Sequence, residues 1–217
     1  MLWPPFVGLR RLGAEVTGPL AAVADGVPCD RVDLACLIEL ESARTWSPSV
    51  RNPGSSAVGL LQWTRVTAEA LGVPYESIGR MTVLQQIQDL IPQHFAMALR
   101  GRSVPQPISI ENLYLCVAAP AFVGASPERI AYAGTACDLN AGWQDDAGRC
   151  TVGAIGALAR RVRSAADARA AEWWDDGLSW PAAPPSSAPS GSGVGALVAL
   201  CLAFGGTIAA LARRNTR

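Results

Sequence analysis

Hydrophobic positions recur along the first 170 residues at helical spacing. Segments 32–43 (VDLACLIELESA), 67–73, 83–101 (VLQQIQDLIPQHFAMALRG), 108–119 (ISIENLYLCVAA) and 152–174 each place apolar side chains three and four apart, the period of one helix face. Strand signals are sparse. The pattern predicts a mostly α domain joined by loops rich in Gly, Pro and Asn. Asp33 falls in the first turn of the first of these helices, and Ser109 and Thr151 are placed to cap the helices that follow them.

The pattern changes twice near the end of the chain. Residues 181–193, PAAPPSSAPSGSG, contain only Pro, Ala, Ser and Gly and cannot build a core, so they read as an extended, flexible linker. Residues 194–212, VGALVALCLAFGGTIAALA, carry no charge and have the length of a bilayer span at about 1.5 Å per residue. Arg213, Arg214 and Arg217 follow and place the C-terminus on the cytoplasmic side. The expected organisation is an N-terminal extension (1–27), a helical domain (28–180), the linker (181–193), one transmembrane helix (194–212) and a basic tail (213–217). The first residues have early prolines and arginines behind the apolar positions, so they do not read as a secretory signal.

Composition narrows the function classes. The 18 basic and 18 acidic residues balance, so nothing in the bulk charge attracts nucleic acid. Six cysteines form no CxxC pair, and His94 is the single histidine, which argues against a zinc site or a histidine-based triad. No metal or other cofactor is expected; residues 138–151, DLNAGWQDDAGRCT, lack the calcium-loop pattern. Cys29/Cys36 and Cys137/Cys150 are spaced for local disulfides, whereas Cys36 and Cys116 sit in apolar runs and read as small core residues.

The candidate chemistry lies in 37–46, LIELESARTW. Leu34, Leu37, Ile38 and Glu41 stand at i, i+3, i+4 and i+7, so Glu41 extends an apolar stripe while Glu39 falls off it. A desolvated carboxyl binds its proton more tightly, which suits a general acid near neutral pH. A solvated glutamate at the rim, or one paired with Arg44 or Arg51, is the plainer reading. A polar loop with a turn at Asn52-Pro53-Gly54 follows, and 57–63, AVGLLQW, begins a new apolar segment.

Glu41-Ser42 at a helix end, followed about twenty residues later by Gly59-Leu60-Leu61-Gln62, resembles the goose-type-lysozyme-like lytic transglycosylases, in particular their phage members. Residues 71–95, 112–124 (NLYLCVAAPAFVG) and 134–155 resemble the later segments of that family in the same order. The resemblance covers about 28–165 and implies a lysozyme-like α domain that cleaves the β-1,4 bond between N-acetylmuramic acid and N-acetylglucosamine. Glu41 would be the one catalytic carboxylate, and Ser42, Gly59 and Gln62 would support it and line the glycan cleft. No acid lies between Glu41 and Glu69, in keeping with a one-carboxylate mechanism. The family's Ala-Tyr-Asn-Ala-Gly motif is missing; Tyr132 is ranked ahead of Tyr114 as the tyrosine near Glu41. Expected partners are peptidoglycan strands, a lipid membrane through 194–212 and other virion proteins, with the domain anchored on a virion or bacterial membrane facing the cell wall. Two further readings stay open: a muramidase that hydrolyses with water, and an inactive glycan-binding or structural protein.

Overall fold

The computed structural model describes residues 3–4, 6–138 and 140–176, and the side chains of these up to 168 apart from residue 141. The linker, the apolar segment 194–212, the basic tail and Trp180 lie outside the described residues, as do the side chains of Trp173 and Trp174. Among the described residues no helix is long and apolar enough to cross a membrane.

The chain is mostly helical. Helices α1 (Val7–Leu12) and α2 (Ala14–Gly26) meet at Gly13. Helix α3 (Arg31–Glu41) starts at Asp30, whose Oδ1 accepts from the amides of Val32 (2.7 Å) and Asp33 (3.4 Å). Such a cap satisfies amides that the helix itself leaves open. After the loop come α4 (Arg65–Ala70), capped by Thr64, and the single turn α5 (Tyr75–Ile78). Thr82 and Gln85 form a reciprocal capping box at α6 (Val83–Gln85). A π-helical turn (Gln86–Leu90) carries α6 into α7 (Ile91–Leu99). Helix α8 (Ile110–Ala118) starts at Ser109, as its sequence suggests. Strands β1 (Ile130–Tyr132) and β2 (Cys150–Thr151) make one antiparallel pair, with the short helix α9 (Thr135–Asp138) between them. The long helix α10 (Val152–Asp176) follows, and Thr151 Oγ1 accepts from Ala154 N at 3.1 Å in its first turn.

Helix α3 lies in the middle, packed by α2, α8 and α10. Every residue from Asp33 to Glu41 is buried. This explains a departure from the stripe reading: Glu39, off the apolar stripe, is also only 7% exposed. A helix covered on all sides has no solvent face for a polar residue to occupy. His94 is likewise buried on α7. Residues of the N-terminal extension, including Phe6, Leu9, Val16 and Leu20, belong to the same core as α3.

Helices α8 and α10 approach closely because Gly156 lacks a side chain; a Cβ there would stand 2.9 Å from Glu111 Cβ. Arg160 then pairs with Glu111 at 2.8 Å. Cys137 and Cys150 form a disulfide that ties α9 to β2. Cys29, Cys36 and Cys116 are free, and the last two are buried as core residues.

Candidate active site around Glu41

Glu41 is the final residue of α3, with Ser42 as its cap. It is 4% exposed. Among the described residues no hydrogen bond or ion pair reaches its carboxyl, and Arg44 and Arg51 do not pair with it. Burial alone pushes its pKa up to about 8. A glutamate of this kind is protonated at neutral pH and can give its proton away.

The chain leaves α3 through an unusual hook. Ala43, Arg44 and Trp46 adopt left-handed backbone conformations (φ 50°, 66° and 52°) that side chains other than glycine disfavour. The hook is held from several sides. Arg44 N donates to Glu39 O at 2.8 Å, and Ser42 N to Ile38 O at 2.9 Å. Trp46 N donates to the fully buried Ser42 Oγ at 3.1 Å, and Trp46 Nε1 donates to Glu39 Oε2 at 2.7 Å. The second buried glutamate is therefore bound to an indole N–H.

The loop that follows turns at Asn52, whose Oδ1 accepts from Gly54 N at 2.8 Å. It ends in a tight hairpin in which Val58 and Trp63 exchange backbone hydrogen bonds of 3.1 and 2.9 Å. Gly59 sits at φ 85°, and a Cβ there would meet Gln86 Oε1 at 2.7 Å, so glycine is required on two counts. Gln62, also left-handed at φ 51°, donates Nε2 to the carbonyls of Gly59 (2.9 Å) and Val50 (3.3 Å). Residues 57–63 are all buried.

Gln86 organises this region, and sequence reasoning passed it over. Its Oε1 accepts from Leu60 N (2.9 Å), and its Nε2 donates to Pro48 O (2.7 Å) and Ile78 O (2.8 Å). One fully buried amide thus joins both arms of the loop to α5. A signal was available: Gln86 stands three residues from Val83 and four from Leu90, inside an apolar stripe as Glu41 does.

Tyr132 and Tyr114 belong to one aromatic group. Tyr132 stacks on Trp143 (centroids 5.2 Å apart, planes at 19°) and donates its hydroxyl to Ala118 O at 2.8 Å. Trp143 Nε1 donates to the hydroxyl of the buried Tyr114 at 3.1 Å. Tyr132 remains half-buried at the end of β1. Ser42, Gly59 and Gln62 are thus tied into the Glu41 hook and hairpin, while Tyr132 sits at the C-terminal end of α8.

His94 plays a different part. Its Nε2 donates to Cys116 O at 3.1 Å, and burial lowers its pKa to about 4, so it is a neutral core residue. An apolar cavity of about 530 Å³ lies between α2 and α7, bounded by Pro19, Val23, Phe95 and Leu99 among others; Glu41 is not in its walls. Among the described residues no cluster of His, Cys, Asp and Glu could hold a metal ion.

Comparison of the chain with protein-family profiles, with curated proteins and with solved structures gives no match in any of the three.

Proposed function

We propose that this chain is a lytic transglycosylase with a lysozyme-like domain, and that Glu41 is its single acid and base. The observation that carries the reading is a carboxyl at the end of a buried helix, 4% exposed and unpaired, with its pKa pushed up to about 8 by burial. The ordered motifs Glu41-Ser42 and Gly59-Leu60-Leu61-Gln62 support it.

In this reading Glu41 donates its proton to the glycosidic oxygen between N-acetylmuramic acid and N-acetylglucosamine as the bond to C1 breaks. The carboxylate then takes the proton of the muramoyl 6-hydroxyl. The oxygen so freed closes on C1 and leaves a 1,6-anhydro sugar, so Glu41 ends each turnover protonated again. A group that must act first as acid and then as base works best with a pKa near the operating pH. Ser42 holds the chain behind Glu41, and Gly59, expected from the sequence to let backbone approach the glycan, instead makes room for the buried Gln86 side chain that braces the hairpin. The amide hydrogens of Gln62 are spent on Val50 and Gly59, so its part toward the sugar falls to its side-chain oxygen. Tyr132 contributes an aromatic face with its hydroxyl on the Ala118 carbonyl. The apolar segment 194–212 anchors the domain to a virion or bacterial membrane, which confines the lytic activity to one patch of cell wall.

The test is digestion of purified peptidoglycan by the full chain and by its Glu41→Gln variant, with the muropeptides weighed by mass spectrometry. Anhydro-muropeptides from the wild type alone are the expected result. Reducing-end products would replace the transglycosylase with a muramidase. Absence of products from a folded chain would leave a glycan-binding or structural protein.

A further inference from the structure

Glu39 has no part in the chemistry above, although it is a carboxylate buried two residues from Glu41. Its geometry gives it one. Trp46 lies at the tip of the left-handed hook and is held twice by the last turn of α3: its indole N–H donates to Glu39 Oε2 at 2.7 Å, and its backbone N–H donates to Ser42 Oγ at 3.1 Å. Trp46 is 1% exposed, and its ring lies against Gly8 of α1. A Cβ on Gly8 would stand 2.2 Å from Trp46 Cδ1, so the helix is shaped to receive the indole. Three non-glycine residues in the left-handed region cost on the order of 1 kcal/mol each. Such backbone persists only where surrounding contacts hold it.

We propose that Glu39 and Trp46 form a positioning clamp that holds residues 43–46 against the end of α3, and so fixes the placement of Glu41 and keeps water from its carboxyl. The proposal rests on the reading of Glu41 as the acid. Glu39 is a positioning residue, since it acts through Trp46 and touches no reacting atom. The charged groups on the elements packed around α3 do not offer another control of Glu41. On α10, Arg163 is taken by Asp30 and Asp33 at the far end of α3 and by Asp167 of its own helix. Glu111 of α8 pairs with Arg160 of α10. Arg161 of α10 donates to Gly142 O, and α2 brings Glu15 and Asp25, neither of which bonds Glu41. Arg44 and Arg51 of the hook and loop do not pair with it either. Burial is the cause of its raised pKa, and burial is what the clamp maintains.

Four full-length proteins test the clamp: wild type, Glu39→Gln, Glu39→Leu and Trp46→Phe. Glutamine keeps an oxygen to accept from the indole; leucine removes it; phenylalanine removes the N–H together with part of the indole ring and serves if the leucine variant does not fold. Two readouts are taken, amide hydrogen exchange of residues 42–47 and the pH profile of kcat and KM on soluble glycan strands. The expected result for Glu39→Leu and Trp46→Phe is faster exchange in 42–47. Their kcat falls by about 10²-fold with little change in KM, as for a misplaced catalytic group. The alkaline limb, at about 8 in the wild type, moves to lower pH as water reaches Glu41. Glu39→Gln restores kcat to within about threefold, since a neutral acceptor retains most of such a bond. Unchanged exchange in a folded Glu39→Leu protein overturns the clamp. So does faster exchange with a wild-type kcat and limb, or a Gln variant as impaired as the Leu variant. If wild type and Glu41→Gln are equally inactive on glycan, the functional reading has failed, and the exchange measurement still decides whether the clamp exists.

Discussion

The two ends of α3 treat a buried acid in opposite ways. At the N-terminal end Asp33, 9% exposed, meets Arg163 of α10, which also reaches Asp30 and Asp167. Burial raises the Asp33 carboxyl, and the hydrogen bond and charge of Arg163 pull it back. At the C-terminal end Glu41 is more deeply buried, and nothing opposes burial. Glu39 stands between, buried and bound to an indole. One helix therefore carries three buried carboxylates with three fates. A paired one joins helices, a hydrogen-bonded one shapes a backbone, and an unpartnered one stores a proton. The unpartnered case lowers stability, which a fold tolerates where activity needs it.

The largest expected effect is on activity. Glu41→Gln keeps the shape of the side chain and removes its proton traffic, so kcat on glycan strands should fall by about 10³-fold or more, within the range a general acid contributes. A Glu41→Gln enzyme within about tenfold of wild type would break the comparison at its more important end.

The same substitution should raise stability. The folded carboxyl has its pKa near 8 against an ordinary 4.5, so the unfolded chain releases its proton first. Stability is then lost as pH climbs from 4.5 to about 8 and levels off beyond it. The full loss is on the order of 5 kcal/mol. Glu41→Gln should recover much of it at pH 8 and almost none at pH 4, by urea unfolding at both values. A gain equal at the two pH values would mean that the folded carboxyl is not held neutral.

Next comes the loop. Gln86→Leu strands Leu60 N and Pro48 O in the interior, where each unpaired group costs about 1 kcal/mol or more, while Ile78 O keeps its bond from Met81 N. A loss of about 3 kcal/mol in unfolding free energy is expected, with faster amide exchange at Leu60.

The smallest effect sharpens the comparison from the other end. Arg163→Met removes the shared partner of three acids, at a cost of about 2 kcal/mol for these part-exposed pairs. It should also make Asp33 more like Glu41. Its carboxyl then titrates at higher pH, and the variant loses stability, relative to wild type, as pH rises through that range. Difference titration of Asp33 by NMR checks the direction.

Much of the fold was legible because caps and turns are local. Ser109, Thr151 and Asn52 act where their spacing places them, and Glu41 closes its helix. The burial of Cys36 and Cys116 followed from apolar runs. Glu39 and His94 were less legible, since stripe periodicity assumes one wet face and α3 has none. Cysteine spacing offered two local disulfides and could not say that Cys137–Cys150 forms while Cys29 and Cys36 remain free. The part of Gln86 depends on three partners distant in sequence, and no local pattern encodes them.

The most direct test of the central claim is the titration of the Glu41 carboxyl itself, followed by carbon-13 NMR in the full chain, with Glu41→Gln identifying its signal. A midpoint near 8 is the expected result: a buried, unpartnered acid ready to give its proton at neutral pH. A midpoint at the ordinary 4.5 would show a wet or paired carboxylate, and the contrast between the two ends of α3 would collapse with it.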